Sequence, residues 1–566
     1  MKNLQAIQTL KTMSLSVACI CVLSACQSTA QNTITKSTAE YYGTQDKFAK
    51  ESVYFLMTDR FVDGDSTNNY PEQGGQTPTF NRQLVNPNGQ HNANVGYLGG
   101  DFKGIVDNID YITDMGFSAL WITPIVDNPD LPFNGGQQIE FAGQFKDGGK
   151  TGYHGYWGVN FFVEDEHLFS PGLHYKQLNQ ALKSKGVMPV MDIVLNHGSP
   201  SYTMDLDLPK FGEIYDQDGV LVADHQNIHP TELDPNNPLH SFFYNKPDLA
   251  ELSDMNADNP AVLNYFVDAY LYWIEQGAEA FRIDTIRHMP HHLWKQFSDR
   301  IRAKHPDFFM FGESFEYEAT KVAQHTLPKN GAISVLDFPG QRAITSVFEN
   351  KDASYADVQS YLHLTHGPYH NPYELMTFYD NHDMARMNTD DKGFINANNW
   401  LFTARGIPVV YYGSEIGFMA GLKEHEGNRN YYGQERVDTA PQHLIYQNLK
   451  RINLVRQQTP ALQRGLQVNL DFTQDTASFL RVLEDKQATQ TALVLLNKSA
   501  TAKTIKVDKY LSNGQWQSQL NNNTYQVKTG LIEVTVPANG VEVLLFEQKN
   551  NNLDLYAELD HLMGHK

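Results

Sequence analysis

Four short segments bring acidic, basic and imidazole side chains to places where apolar runs end. They are Asp192-Ile-Val-Leu-Asn196-His197, Arg282-Ile-Asp284, Phe311-Gly-Glu313 and Phe378-Tyr-Asp-Asn-His382-Asp383. Residues two apart on a strand face the same side, so Arg282 and Asp284 project together. An arginine beside that carboxylate keeps it ionised and oriented. A second carboxyl, Glu313, closes the next run. Two neighbouring carboxyls in different environments suit glycosyl transfer: one stays charged as nucleophile, and the other keeps its proton for the leaving oxygen. Asp383 is placed to hold a sugar's hydroxyls as positive charge develops on the ring. A single Asp or Glu at a strand end is more often a helix cap or a surface ion pair. Four such ends in series turn that balance.

These groups need a scaffold that gathers strand ends. Eight apolar runs alternate with helical patterns: Val53–Met57, Ala119–Ile122, Val187–Leu195, Ala280–Ile283, Phe308–Phe311, Ile333–Phe338, Leu375–Tyr379 and Ile407–Tyr412. Continuous apolar runs are the mark of parallel strands buried on both faces. Asn259 caps a helix with Pro260 at its first position, and Gly277 follows its end. Ile105, Ile109 and Ile112 share one helical face ahead of Gly116. The pattern predicts an α/β fold, a (β/α)8 TIM barrel over about 46–460, with functional groups at the strands' C-terminal ends. The connection after the third strand is too long for a loop and predicts an inserted subdomain at about 198–258. Closely spaced strand patterns from 461 to 547 predict a C-terminal antiparallel β-sandwich, followed by a polar tail over 548–566 that reads as a loose helix.

In order and separation, the four segments resemble the motifs of glycoside hydrolase family 13, the α-amylase family. The resemblance implies that Asp284 is the nucleophile, Glu313 the acid/base and Asp383 the transition-state stabiliser. It also implies that His197, Arg282 and His382 bind the sugar or orient the nucleophile. Tyr153-His-Gly-Tyr-Trp157 is similar to the family's sugar-contacting loop after the second strand, with His154, Tyr156 and Trp157 in the matching places. Arg287 and His288 follow the nucleophile as sugar contacts, with arginine where many members carry lysine; the charge survives but its geometry changes. Phe315 matches an aromatic that favours sugar acceptors. Arg429 resembles a sugar-contacting arginine whose usual aspartate partner is out of register here. The substrate implied is an α-glucan.

Oxygen ligands point to Ca²⁺. Asp63-Gly-Asp65-Ser-Thr-Asn68-Asn69 packs hard donors into one turn, and no EF-hand spacing is present. With Gly99 and Asp101 it resembles the N-terminal calcium site of cyclodextrin glucanotransferases; a solvated Asx-rich turn is the plainer reading. A second site is implied by Asn196, Asp254 and the carbonyl of His288, which match ligands that pin the family's subdomain to the barrel.

The barrel's start and Tyr411-Tyr-Gly-Ser-Glu415 look most like cyclodextrin glucanotransferases. Those enzymes carry an aromatic residue four positions before the residue matching Asp254; this chain has Ala250. The starch-binding module of those transferases has no counterpart here. Hydrolysis of α-1,4-glucans is therefore the leading expectation. A 4-α-glucanotransferase or a cyclodextrin-forming or -degrading enzyme is the runner-up, and a surface glucan-binding protein is the non-enzymatic alternative.

Composition sets the outer bounds. The formal charge of −21 argues against nucleic acid or anionic membrane surfaces as partners and suits a neutral substrate. Lys2 and Lys11 precede an apolar stretch ending Leu23-Ser24-Ala25-Cys26, which resembles a bacterial lipobox. That implies a signal peptide over 1–25, acylation of Cys26, a flexible tether over 26–45, and an outer-membrane lipoprotein whose only membrane contact is its lipid. All three cysteines (Cys19, Cys21, Cys26) lie in this segment, which leaves none for a disulfide or a thiolate metal site in the body.

Overall fold

The structure, a computed structural model, describes residues 39–143, 146–206 and 210–564. Cys26 and the apolar stretch before it lie outside the described residues. Among the described residues, no helix is long and apolar enough to cross a membrane.

Eight parallel strands form the central sheet: β1 (Val53–Leu56), β2 (Ala119–Ile122), β3 (Met188–Ile193), β4 (Ala280–Ile283), β5 (Phe309–Gly312), β6 (Ser334–Val335), β7 (Met376–Thr377) and β8 (Ile407–Tyr411). Their spatial order is β6-β5-β4-β3-β2-β1-β8-β7. A parallel bridge from Leu336 to Met376 joins the two ends, which closes the sheet into a barrel. Aromatic rings fill its interior. Phe55 stacks on Trp121 at 3.7 Å, Trp121 meets Phe311 edge-on at 5.6 Å, and Phe55 stacks on Tyr411 at 5.1 Å. This apolar floor lies directly beneath the polar strand ends.

β6 and β7 are shorter than their apolar runs predict. Phe338 opens a helix (Phe338–Glu349) instead of extending β6, because the Asp337 side chain caps it through Gly340 N at 3.0 Å. The same carboxylate pairs with Arg405 at 2.8 Å, both side chains being essentially fully buried. Asp337→Ala would strand the guanidinium and remove the cap. We expect a loss of about 3–5 kcal/mol of stability in chemical denaturation; a loss under about 1 kcal/mol would mean that water replaces the carboxylate.

Helix α1 (Pro260–Glu275) begins on the Asn259 cap, whose side chain accepts from Ala261 N at 3.0 Å, and Gly277 follows in the left-handed region at φ +110°. The single helix predicted around Ile105 is two short ones, Phe102–Asp107 and Ile109–Asp114. Between them Asn108 leaves helical geometry and donates back to the Gly104 carbonyl at 2.8 Å.

After β3, strand His197–Pro200 pairs with Leu252–Asp254, and Glu213–Tyr215 pairs with Leu221–Asp224. The latter pair continues through Asn160–Glu164 to Val126–Asp127, which belong to the β2–β3 connection. Two long connections therefore share one small sheet beside the barrel mouth, where sequence reading singles out only one.

The C-terminal part is antiparallel. β9 (Leu466–Phe472), β10 (Thr476–Glu484), β11 (Thr489–Asn497), β12 (Lys503–Val507), β13 (Gly514–Ser518), β14 (Thr524–Val527), β15 (Ile532–Val536) and β16 (Gly540–Phe546) form a six-stranded sheet, β9-β10-β11-β16-β13-β14, and a β12–β15 pair. Trp516 stacks on Phe546 in its core. Arg481 of β10 fixes this part to the barrel by donating to the carbonyls of Thr403 and Ala404 at 2.8 and 2.7 Å.

Both ends of the described chain are held more firmly than the sequence suggests. The residues read as the end of a tether are held in place: Tyr41 pairs with Glu484 through its backbone and donates its hydroxyl to Asp560 at 2.7 Å. The polar tail forms helix α2 (Leu553–Met563), whose Leu555, Leu559 and Leu562 are buried against the sandwich at helical spacing.

Candidate active site

β3, β4, β5 and β7 end on one side of the barrel, and there the sequence-predicted side chains meet. Arg282, on β4 and fully buried, is the hub. Its Nη1 lies 2.8 Å from Asp192 and 2.9 Å from Asp284, and its Nη2 lies 2.9 Å from Glu313. The barrel holds the backbone of both carboxyl residues in register, since Asp284 N donates to Ile193 O at 2.9 Å and Glu313 N to Ile283 O at 2.8 Å.

The turn after Asp284 is unusual. Thr285 is a β-branched residue at φ +48°, a left-handed conformation that such residues rarely adopt. That geometry lets its hydroxyl donate to Asp284 Oδ2 at 2.8 Å, so both oxygens of Asp284 are fixed. Gly312 precedes Glu313 because a Cβ there would collide with the Ile286 side chain.

One guanidinium serving three carboxyls in an apolar surround cannot keep all of them charged. Burial raises Glu313 well above the usual carboxylate range; Arg282 opposes the shift, while the charges of Asp383, Asp284 and Asp192 add to it. Asp192 is pushed up to about 7, chiefly by burial, and also accepts from Trp121 Nε1 and Tyr156 OH, both at 2.9 Å. Asp383 goes the other way. Burial would raise it, but His382, Arg429 and Arg282 outweigh burial and leave it below its ordinary value. Burial pushes His382 itself down to about 3, so at neutral pH the balancing charge comes from the guanidiniums, with Arg429 only 2.7 Å from Asp383.

Around this core stand the aromatic and imidazole groups of the β2 loop. Tyr156 OH lies 2.9 Å from His382 Nε2, and the two rings stack. His154 accepts from Tyr156 N at 3.1 Å, and burial holds its ring neutral. Trp157 lines the cleft but is only 3% exposed, and Phe133, Met204, Phe211 and Leu252 surround it. His197, Arg287, His288 and Phe315 complete the lining of a cleft of about 390 Å³. Arg287 donates to the Phe315 carbonyl across its rim. Ala250 also lines the cleft at φ +48°, presenting a methyl group and no ring.

Sequence reading leaves Arg429 without its acidic partner. The structure supplies Glu424, 2.9 Å from Arg429 Nη1, and continues the chain through Lys150 and Asp147. Lys150 and Glu424 are 274 positions apart. No local pattern links them.

The oxygen-rich turn also assembles. Asn69 donates to Asp63 Oδ2 at 2.8 Å, and Asn68 donates to Asp101 Oδ2 at 3.2 Å. The side-chain carbonyl oxygens of both asparagines are buried and have no hydrogen-bond partner among the described residues. Gly99, at φ +90°, leaves room that a Cβ would fill against Asn69 Oδ1 and Asp63 Oδ2. Asp65 caps a 3-10 turn through Thr67 N. Two orphaned carbonyl oxygens among carboxylates fit a hard cation. At the second place, Asp254 Oδ1 is likewise buried without a partner among the described residues, while Oδ2 accepts from Asp248 N at 2.8 Å. Met255 N donates to the Asn196 carbonyl at 2.8 Å and holds the two segments together; the His288 ring lies 3.0 Å from Asp248. Sequence reading missed a further acidic convergence at Asp127, Asp130 and Glu166, where Lys210 lies 3.3 Å from Asp130.

The family described as alpha amylase, catalytic domain, matches residues 55–444. A beta/alpha-amylase of Paenibacillus polymyxa is 30% identical over 527 residues, covering 88% of this chain and 38% of that protein. A cyclomaltodextrin glucanotransferase of Bacillus licheniformis is 27% identical over 471 residues, covering 81% and 60%. The chain thus spans less than two thirds of either relative. Among solved structures, CldA, a cyclomaltodextrin glucanotransferase with a three-domain ABC distribution, superposes with a TM-score of 0.71 at 29% identity, covering 88% of this chain and 99% of that one.

Proposed function

The chain belongs to the alpha-amylase catalytic-domain family, and from that premise we propose that it hydrolyses α-1,4-glucosidic bonds of starch and maltodextrins with retention of configuration. Asp284 attacks the anomeric carbon while Glu313 gives its proton to the departing glycosidic oxygen, leaving a glycosyl ester on Asp284. Glu313 then takes a proton from water as that water opens the ester, which restores both carboxyls. Asp383, kept ionised, accepts from the ring's hydroxyls as charge develops. Arg282 orients Asp284, and Tyr156 with His382 shapes the ring's seat. The observation that carries this reading is the arrangement of the carboxyls: Asp284 and Glu313 each lie 2.9 Å from Arg282, while Asp383 lies 2.7 Å from a different guanidinium, that of Arg429.

Product analysis on amylose tests it. Steady release of reducing ends with short linear maltooligosaccharides is expected. Redistribution of chain lengths or cyclic products without new reducing ends would make the protein a 4-α-glucanotransferase. Phe315 on the cleft lining and the glucanotransferase relatives favour that second reading; Ala250, with no ring for a glucan to wrap around, favours hydrolysis. Binding without turnover would leave a glucan-binding protein, a reading weakened by the presence of all three carboxyls.

We further propose that Ca²⁺ occupies the two oxygen-lined places. Asp63, Asp65, Asn68, Asn69, Asp101 and the backbone of Gly99 would hold one ion; Asn196, Asp254 and the His288 carbonyl would hold the other. Bound calcium supplies a fixed positive charge that pins the long loops to the barrel. Chelation should lower the melting temperature, and added Ca²⁺ at about 100 times its dissociation constant should restore about 2.7 kcal/mol per site. A melting temperature indifferent to both treatments would reject the assignment.

A further inference from the structure

The cleft is asymmetric. On the Glu313 side, where the leaving group departs, Arg287 and His288 line both the cleft and a second cavity of about 650 Å³, which Ser314 and Glu316 also border. The opposite side, next to Asp383, is different. Arg429 leads from Asp383 to Glu424, Glu424 to Lys150 at 3.0 Å, and Lys150 to Asp147 at 2.7 Å. Lys150, Glu424 and Arg429 are 5%, 7% and 6% exposed, yet all three line the cleft. The loops that carry them are also joined by their backbones, since Ala142 N donates to His425 O at 3.0 Å.

A buried charge pair is costly to separate, so a neutral sugar chain cannot part this wall by passing through it. Arg429 is already committed as well. Its Nη2 serves Asp383, its Nη1 serves Glu424 and its Nε donates to the His382 carbonyl at 2.9 Å. The Lys150 ammonium has three donors, of which Asp147 and Glu424 engage two. That leaves one donor for a ligand in the cleft that Lys150 lines.

We propose that the Lys150–Glu424 bridge blocks the glycone end of the cleft, so that the enzyme acts from the non-reducing ends of α-glucans and releases short products, with Lys150 as the residue that binds the terminal sugar's hydroxyl. The inference rests on the hydrolase reading, because the positions of Asp284 and Glu313 define which end is the glycone.

The test uses two forms of maltoheptaoside, one free and one carrying a 4,6-ketal on its non-reducing glucose. The wild-type protein should cleave the free form and cleave the capped form at least about 100-fold more slowly. Lys150→Ala, or Lys150→Met if the smaller residue fails to fold, should narrow that ratio at least about 10-fold and lengthen the products from amylose. Equal rates on the two forms by the wild-type protein would overturn the proposal, as would a Lys150 variant that is folded, active on the free form and unchanged in the ratio. Failure to cleave either form would instead defeat the hydrolase reading.

Discussion

Asp284→Asn is expected to lower kcat on amylose by about 10⁴-fold or more, equivalent to at least about 5.5 kcal/mol of lost transition-state stabilisation. Asparagine is close in shape to aspartate, so Arg282 and Thr285 keep neighbours of the right size. What disappears is the negative oxygen that must bond to carbon. KM should therefore move little, because contacts such as those of Tyr156, His382 and Phe315 remain. Replacement by glycine adds a sharper readout: with azide present, a small anion can enter where the carboxylate stood and give a glycosyl azide of inverted configuration. Initial rates of reducing-end release decide the matter. A folded Asn variant within about tenfold of wild type would remove Asp284 as nucleophile.

Much of this site could be read from sequence because each strand carries its own chemistry. Arg282 and Asp284 share a face by simple alternation, and Glu313 ends the next apolar run, so barrel closure alone brings them together. The eight strands were legible for a related reason: parallel strands buried on both faces are uniformly apolar. What escaped notice depends on distant parts of the chain. Asp192 is a motif residue in sequence, but its joint hold on Arg282, Trp121 and Tyr156 exists only once β2 and β3 lie side by side. Glu424 is unremarkable until a loop 274 positions away brings Lys150 to it. The same limit applies at the chain's ends. Tyr41 lies in a polar stretch that looks like a tether, and only the partner edge at Glu484 shows why it is ordered. The three leucines of α2 repeat at helical spacing, a signal that the surrounding polar residues obscure.

The polarity of the site follows from how it distributes charge. Asp383 has Arg429 against it and stays ionised, whereas Glu313 shares Arg282 with two other carboxyls over an aromatic floor. A cation needs an anion at the ring, and a leaving oxygen needs a proton. The two environments therefore match the two ends of one broken bond. The same contrast predicts a rate profile whose alkaline limb, set by Glu313, lies well above the ordinary carboxylate range.

Glu313→Gln tests the second half of that scheme by two independent effects. On amylose the rate should fall by about 10³-fold or more, since the departing sugar alkoxide needs a proton. On an aryl maltoside with an acidic phenol as leaving group, formation of the glycosyl ester needs no proton, so that step should lose far less and its alkaline limb should disappear. An equal loss on both substrates would assign Glu313 a merely structural part. The other effect is on stability. Burial raises the folded carboxyl above its ordinary 4.5, so between 4.5 and the folded value the unfolded chain releases a proton that the folded protein keeps. The contribution of this group to stability is fully present below 4.5 and declines as pH rises, by about 1.4 kcal/mol per pH unit while the gap lasts. Glutamine has no proton to lose. The melting temperature of Glu313→Gln relative to wild type should therefore climb with pH from about 4.5 upward; a constant difference across that range would mean that the carboxyl titrates alike in both states, and the general-acid role would lose its physical basis.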